Sequence, residues 1–221
     1  IAVFTQGAIR HTAVIPVAGD QITNDIAHAL RTPTPEAEEI KVHHGVALQQ
    51  LADPDEMFEV PGIGERGPRR LSRLALADVI EPRVTELYEI IQSELKRSGY
   101  QELLSSGIVL TGGSSVMLGM VELGEEIFHM PVRLGIPKYS GSLAEVVQHP
   151  RYATAMGLLL EGMAQKKRGI QAHQTRTFKQ VLGNISRGSR RIFNEVVFRF
   201  AVVFTRRRAC LKSSTRNRTV R

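Results

Sequence analysis

The chain has few of the residues that mark a secreted or membrane-spanning protein. Among its 221 residues there is one cysteine, Cys210, and there is no tryptophan. A single cysteine excludes a disulfide framework within the chain and is typical of a reducing cytoplasm. No apolar run is long enough to span a bilayer and no signal peptide heads the chain, so we expect a cytoplasmic protein.

The charges are distributed unevenly along the chain. Residues 1–165 contain 13 Lys and Arg against 21 Asp and Glu, which gives a net charge of −8. Residues 166–221 contain 16 Lys and Arg against Glu195 alone, which gives +15. The sequence therefore predicts an acidic globular body with a basic tail, and such asymmetry indicates an anionic partner for the tail.

Apolar patterning predicts alternating strands and helices, which is typical of an α/β protein. Residues 1–5 and 11–17 flank a turn at Gln6-Gly7 and predict an antiparallel hairpin. Pro82 falls inside a long predicted helix, where a missing backbone donor predicts a kink. The other predicted elements are a helix around residues 22–30, helices over 35–52, 72–98 and 151–163, a strand near 132–134 and a turn-rich stretch over 53–70.

The most informative motif is GIVLTGGSSVMLG, residues 107–119. Its apolar run predicts a buried strand that stops at two glycines, with a helix beginning on Ser114 or Ser115 as N-cap. Glycines allow a ligand close to the backbone, and a helix N-terminus offers unpaired N–H groups. The motif alone leaves two interpretations open, a nucleotide site and a strand–turn–helix without a ligand.

The order VLTGGSSVMLGMVELGEEIFHMPVRLGIP, followed by RYATAMGLLLEG, resembles the last part of the actin-like ATPase superfamily. Within it the segment is similar to the FtsA family of bacterial cell-division proteins, over about residues 1–163. The resemblance implies an α/β, actin-like ATPase fold of the ribonuclease H-like type. It further implies that the chain contains the second lobe only, with a C-terminal amphipathic tail.

The resemblance implies an ATP site assembled from three segments. Gly19, in PVAGDQIT, would lie against the ribose and phosphates, and Glu38 and Lys41 would contact the ribose and adenine. The glycine turn would line the adenine side through Gly112, Gly113 and Ser114. The spacing of Glu38-x-x-Lys41 alone favours an ordinary surface ion pair.

The family's two phosphate-binding hairpins, whose acidic residues lie near Mg²⁺, find no match in this sequence. We therefore expect no catalytic residues, no enzymatic hydrolysis and at most weak ATP binding by this chain, with Mg²⁺ required in the full-length protein. The histidines show no metal-ligand spacing with cysteine or carboxylates, so no further metal is expected.

The segment GPRRLSRLALADVIEPRVTELYEII resembles the family's helix that receives the C-terminal peptide of FtsZ, the tubulin-like division polymer. The resemblance implies that Arg83 and Glu86 contact this peptide, within a helical subdomain over about residues 36–105. The spacing of the two residues alone favours a solvated helix face. Arg69 aligns with a loop position that the resemblance associates with self-association.

The basic tail predicts three segments: a flexible linker over 164–177, an amphipathic helix over 178–201 and an atypical basic end over 202–221. Apolar residues at helical spacing with a basic opposite face favour a helix lying on an anionic membrane. A helix docked on the body is the alternative, and a nucleic-acid arm is not expected. The residues that would enter the membrane are Phe178, Val181, Leu182, Ile185, Ile192 and Phe193.

Taken as a whole, the resemblance implies an adaptor that binds ATP, docks FtsZ and anchors the Z ring to the cytoplasmic face of the inner membrane at the septum, recruiting later division proteins. Two alternatives share the superfold. A sugar or metabolite kinase would contain the same glycine turn and would transfer phosphate, and a chaperone-type ATPase would contain the same nucleotide site but bind other peptides.

Overall fold

The structure is a computed structural model that describes residues 1–62, 67–104, 106–139, 141 and 144–168, and the backbone of residues 201–205. Its helices are α1 Gly19–Leu30, α2 Thr34–His44, α3 Arg73–Ser98, α4 Met120–Phe128, α5 Ala144–Val147 and α6 Ala153–Lys167. Its strands are β1 Ala2–Thr5, β2 Ala8–Thr12, β3 Met57–Val60, β4 Arg69–Ser72, β5 Ile108–Thr111, β6 Val132–Leu134 and β7 Ala201–Thr205.

The main sheet has five strands in the order β2-β1-β7-β5-β6. Strands β1 and β2 are antiparallel, β5 and β6 are parallel, and β7 runs parallel to β1 and antiparallel to β5. All four residues of β5 are buried, which is expected for an interior strand covered on both faces. The α/β class predicted from the sequence is confirmed.

The predicted first hairpin is present, but its second strand begins three residues earlier than expected. Gln6 and Gly7 both have positive φ, at 55° and 80°, the combination that a type I′ hairpin turn requires. Such a tight turn starts pairing at once, so Thr5 faces Ala8. The second strand is therefore Ala8–Thr12, and the prediction of residues 11–17 was wrong.

Helix α3 is central to the core, and its predicted extent is confirmed to within one residue. Ser72 caps its first turn by accepting a hydrogen bond from the Ala75 N–H at 3.2 Å, and Gly99 ends it with a φ of 72°. Buried Tyr88 donates from its hydroxyl to the Met120 carbonyl at 2.8 Å, which fixes α3 against α4. Pro82 lies inside the helix without ending it.

Three local predictions were wrong. Helix α2 ends at His44, not near residue 52, since Val46 forms a β-bridge with Leu118. The turn-rich stretch after it contains the β3–β4 hairpin. Beyond the double glycine a short 3₁₀ turn, residues 113–116, precedes α4, which begins at Met120 after Gly119 with a φ of 87°.

The predicted tail segments fall largely outside the described residues. Helix α6 continues through Lys167, so the first four residues of the predicted linker are helical. The six predicted membrane residues, from Phe178 to Phe193, lie outside the described part of the chain. Ala201, the end of the predicted amphipathic helix, lies in strand β7 together with residues 202–205, and no strand was expected there.

Candidate functional site

The first turn of α1 and one face of α2 meet at the ammonium group of Lys41. Its Nζ donates to the Gly19 carbonyl at 3.2 Å, to the Thr23 hydroxyl at 2.7 Å and to Glu38 Oε2 at 2.5 Å. Thr23 also contacts the Glu38 carboxylate. Lys41 is only 8% exposed. The i,i+3 ion pair is therefore part of a network that joins two helices, with the lysine buried and the Glu38 side chain 39% exposed.

The glycine turn after β5 lies directly against the start of α1. A Cβ built on Gly19 would overlap the Ser114 hydroxyl, so a larger residue at position 19 would require the Ser114 side chain to move. Gly112 has a φ of 100° and a ψ of 171°, a conformation essentially restricted to glycine, and its N–H donates to the Pro150 carbonyl at 3.2 Å. Gly19, Glu38, Lys41 and Ser114, four of the six predicted nucleotide-site residues, thus lie along one continuous set of contacts.

A cavity of about 400 Å³ opens between these segments. Glu38, Lys41, Gly113 and Ser114 line it, whereas Gly19 and Gly112 are not among its lining residues. Val42, Val116, Met117 and Leu118 supply apolar walls. The volume is within the range of small-molecule sites, and apolar walls with a few polar groups are typical of them.

Four basic or titratable residues of this cavity were missed by the sequence analysis. They line it from α2, from the start of α3 and from the segment before α6, and they are His43, Arg73, His149 and Arg151. His149 Nδ1 accepts a hydrogen bond from the Arg151 N–H at 3.2 Å. The pKa of His149 is lowered, mainly by burial and to a smaller extent by the positive charge of Arg151. Nothing in the sequence marks these residues, because only tertiary packing brings them to the cavity.

The predicted partner-binding residues lie on a different face, where α3 meets α1. Arg83 Nε donates to Asp25 Oδ2 at 2.5 Å, and its Nη2 donates to Asp25 Oδ1 at 3.0 Å. Its Nη1 donates to Glu86. These hydrogen bonds and charges raise the pKa of Arg83, with the Asp25 hydrogen bond as the largest cause. Asp25 had not been predicted as part of this cluster.

Arg69 occupies a strand and not a loop. It is the first residue of β4, and its Nη2 donates to the Leu30 carbonyl at the end of α1. This hydrogen bond connects the β3–β4 hairpin to the end of α1. Self-association through Arg69 stays a prediction.

A third i,i+3 ion pair lies near the end of α3. Arg97 donates twice to Glu94, both at 2.8 Å, and Glu94 also lies 2.9 Å from His11 Nε2. Hydrogen bonds from Arg97 and His11 lower the pKa of Glu94 from 4.5 to about 2. Among the described residues, no group of three His, Cys, Asp or Glu side chains could hold a metal ion.

A family model described as "Cell division protein FtsA" matches residues 1–157. The chain belongs to the FtsA family. The matched range contains β1 to β6, the cavity and all of α3. It favours a division protein over the kinase and chaperone-type alternatives, and the resemblance found in the sequence is confirmed.

Three curated FtsA relatives illustrate the match. The protein of Pseudomonas aeruginosa is 59% identical over 170 residues, covering 77% of this chain and 41% of the relative. The protein of Neisseria meningitidis is 49% identical over 160 residues, which cover 72% of this chain and 39% of the relative. The protein of Escherichia coli K12 is 47% identical over 169 residues, which cover 73% of this chain and 40% of the relative. The chain spans about two-fifths of the length of these relatives.

Two solved structures share the fold. Both are of MreB5 of Spiroplasma citri, one bound to ADP and one to AMPPNP. The ADP-bound structure matches with a TM-score of 0.55 at 17% sequence identity, over 75% of this chain and 50% of that chain. The AMPPNP-bound structure matches with a TM-score of 0.57 at 15% sequence identity, over 76% of this chain and 53% of that chain. The mixed helix and sheet architecture is therefore part of an actin-like fold, as the sequence predicted.

Proposed function

We propose that this chain works as an adaptor in bacterial cell division, with one face for the C-terminal peptide of FtsZ and a separate cavity for an adenine nucleotide. The observation that carries the proposal is the FtsA match over residues 1–157, which includes both sites. The proposed peptide face is formed by Asp25 of α1 and by Arg83 and Glu86 of α3, whereas the cavity is lined by α2, by Arg73 at the start of α3, by the glycine turn and by the segment before α6.

The cluster around Arg83 is suited to a peptide with mixed charge. A guanidinium has five N–H donors, and the bonds to Asp25 and Glu86 use three of them, so two are available to a peptide carboxylate. Asp25 fixes the plane of the guanidinium before any ligand arrives. Because two carboxylates surround one cation, the cluster is net negative and complements a basic side chain next to that carboxylate.

Fluorescence anisotropy with a labelled FtsZ C-terminal peptide and the full chain tests this docking. Arg83→Glu should abolish saturable binding, and Glu86→Ala, which leaves the Arg83–Asp25 pair in place, should weaken it about tenfold. Arg97→Glu is the matched control, since it changes the same kind of i,i+3 pair on the same helix. Equal binding by all three variants would contradict the proposal.

The cavity is suited to a nucleotide because its apolar walls could contact the base, while polar backbone groups and basic side chains could contact the sugar and phosphates. Glu38 and Lys41 are fixed in position by Thr23 and by Gly19, so the site is formed without a ligand. Proteins of the same fold have been solved with ADP and AMPPNP. Binding of ATP without hydrolysis is our expectation for this chain.

Titration with a fluorescent ATP analogue, with excess unlabelled ATP as competitor, tests the cavity. Val116 is 45% exposed and lines it, so Val116→Trp should fill the space and weaken binding at least tenfold. Val14→Trp is the control, because Val14 is 89% exposed and does not line the cavity. Unchanged affinity in Val116→Trp would place the nucleotide elsewhere.

Membrane anchoring remains a proposal that rests on sequence. Residues 178–200 combine apolar residues with arginines and lysines, and their lipid target would be an anionic surface. Within the described ranges, no helix is long and apolar enough to cross a bilayer. Co-sedimentation with anionic vesicles, compared with neutral ones, should recover the full chain, and Phe193→Glu should reduce that recovery. Localisation to the inner membrane at the septum follows from this proposal.

A further inference from the structure

The hydroxyl of Thr23 links the two charged groups of the Glu38–Lys41 pair. Thr23 lies in α1 and is 4% exposed. Its oxygen accepts a hydrogen bond from Lys41 Nζ at 2.7 Å, and its single hydrogen has two acceptors within reach, the Gly19 carbonyl at 3.1 Å and Glu38 Oε2. Because a hydrogen bond to a charged acceptor is the stronger of the two, the hydrogen belongs to the carboxylate. Thr23 therefore accepts from Lys41 and donates to Glu38.

Lys41 has no donor left for a ligand in this network. An ammonium group has three N–H donors. All three are used here, by the Gly19 carbonyl, the Thr23 hydroxyl and Glu38 Oε2. The family resemblance implied that Lys41 contacts the nucleotide directly, whereas these hydrogen bonds indicate an indirect role. Any influence of Lys41 on a ligand passes through the groups that it holds.

Glu38 differs from Lys41, because one of its two carboxylate oxygens stays available. The hydrogen bonds from Thr23 and Lys41 both go to Oε2, and within the described part of the chain Oε1 accepts none. Glu38 lines the cavity, and its side chain is 39% exposed. An ionised carboxylate can only accept hydrogen bonds, so Oε1 is suited to a ligand group that donates one and is unsuited to a phosphate. In a nucleotide, the hydroxyls of the ribose are such donors.

We propose, on the basis of the nucleotide site proposed above, that Glu38 Oε1 selects a ribose hydroxyl and that Thr23 determines this selectivity by holding Oε2. Glu38 contacts the ligand, whereas Thr23 and Lys41 are positioning residues that act through it. A site built to bind a hydroxyl rejects the analogue that lacks it, because the acceptor is then left without its donor. The cavity therefore distinguishes ribonucleotides from deoxyribonucleotides.

Competition binding to the full chain tests this selectivity. The probe is ATP with a fluorophore on its γ-phosphate, which leaves the ribose free, and the competitors are ATP, 2′-deoxy-ATP and 3′-deoxy-ATP. In the unmodified chain, at least one deoxy analogue should bind about tenfold more weakly than ATP, since Glu38 is partly exposed and water replaces some of the lost interaction. Thr23→Val, which keeps the shape but removes the hydroxyl, should reduce this ratio to about threefold or less. Thr23→Ser should restore it.

Thr32→Val is the matched control. Thr32 is 3% exposed and its hydroxyl donates to the Pro61 carbonyl at 2.9 Å, but it does not line the cavity. The control therefore removes a buried, hydrogen-bonded threonine hydroxyl elsewhere. It should lower the thermal midpoint and leave the ratio of affinities unchanged. If Thr23→Val does not fold, Thr23→Cys gives the same comparison, because a thiol is only a weak donor and acceptor.

Three results would overturn the role of Thr23 and leave the nucleotide site in place. They are equal affinities of the unmodified chain for all three nucleotides, an unchanged ratio in folded Thr23→Val or Thr23→Cys, and an equal fall of the ratio in Thr32→Val. Failure of the folded, unmodified chain to bind ATP at all would instead contradict the proposed nucleotide site, and the selectivity with it.

Discussion

Two ion pairs with the same i,i+3 spacing have different surroundings in this molecule. In the Glu38–Lys41 pair the lysine is 8% exposed and donates to three acceptors on two helices. In the Arg83–Glu86 pair the side chains are 29% and 50% exposed, and donors are left for a further acceptor. Identical spacing gives the same local geometry, but burial decides whether a pair builds a cavity wall or faces solvent.

The largest difference between the two pairs should appear in stability. Lys41→Met leaves the Gly19 carbonyl, Thr23 and Glu38 without their shared donor, and should lower the free energy of unfolding by about 2–3 kcal/mol. Arg83→Met is the matched variant and should cost about 1 kcal/mol or less, as expected for a partly exposed pair. Urea unfolding of the full chain measures both. Equal losses of unfolding free energy in the two variants would show that burial does not make the Glu38–Lys41 pair more stabilising than the Arg83–Glu86 pair.

The backbone of the cavity should be the next most sensitive feature. Gly112→Ala forces a Cβ into a conformation that only glycine adopts readily, and should destabilise the chain by about 1–3 kcal/mol. Gly157→Ala is the control, because Gly157 lies in α6 with open space at its Cβ position, and it should stabilise by about 0.5–1 kcal/mol. The two thermal midpoints should shift in opposite directions, and shifts of the same sign would contradict the account.

The smallest effect concerns the third pair, Glu94–Arg97, and depends on pH. The folded pKa of Glu94 is about 2 and its ordinary value is 4.5, so the unfolded chain takes up the proton first as pH falls. The stabilisation is therefore complete above about pH 5 and is lost progressively towards pH 2. Urea midpoints between pH 6 and pH 3 should fall less steeply in Glu94→Gln than in the unmodified chain.

Glu102→Gln provides the control for this pH dependence, since it removes one negative charge from an exposed position next to α3. Its urea midpoints should follow the slope of the unmodified chain. A Glu94→Gln slope that matches the control would show that the contacts with Arg97 and His11 do not act on stability.

Features set by local chemistry could be predicted from the sequence. The capping of α3 by Ser72 and Gly99, and the double glycine after a buried strand, are fixed by neighbouring residues. The grouping of Gly19, Glu38 and Lys41 was expected only through the family resemblance.

Features set by contacts distant in sequence could not be predicted. Asp25 is 58 residues from Arg83, and no local pattern marks it as the partner of that guanidinium. Helix α2 stops where Val46 meets Leu118, and β7 forms because two strand edges are available to it. In each case tertiary pairing decides between local conformations that the sequence alone leaves similar.

The central claim is that the cavity and the Arg83 cluster are separate binding sites. The most direct test measures the affinities for the FtsZ C-terminal peptide and for a fluorescent ATP analogue in the same two variants of the full chain. We predict that Glu86→Ala weakens peptide binding only and that Val116→Trp weakens nucleotide binding only. The account would be contradicted if either folded variant lost affinity for both ligands. It would also be contradicted if both variants kept both affinities.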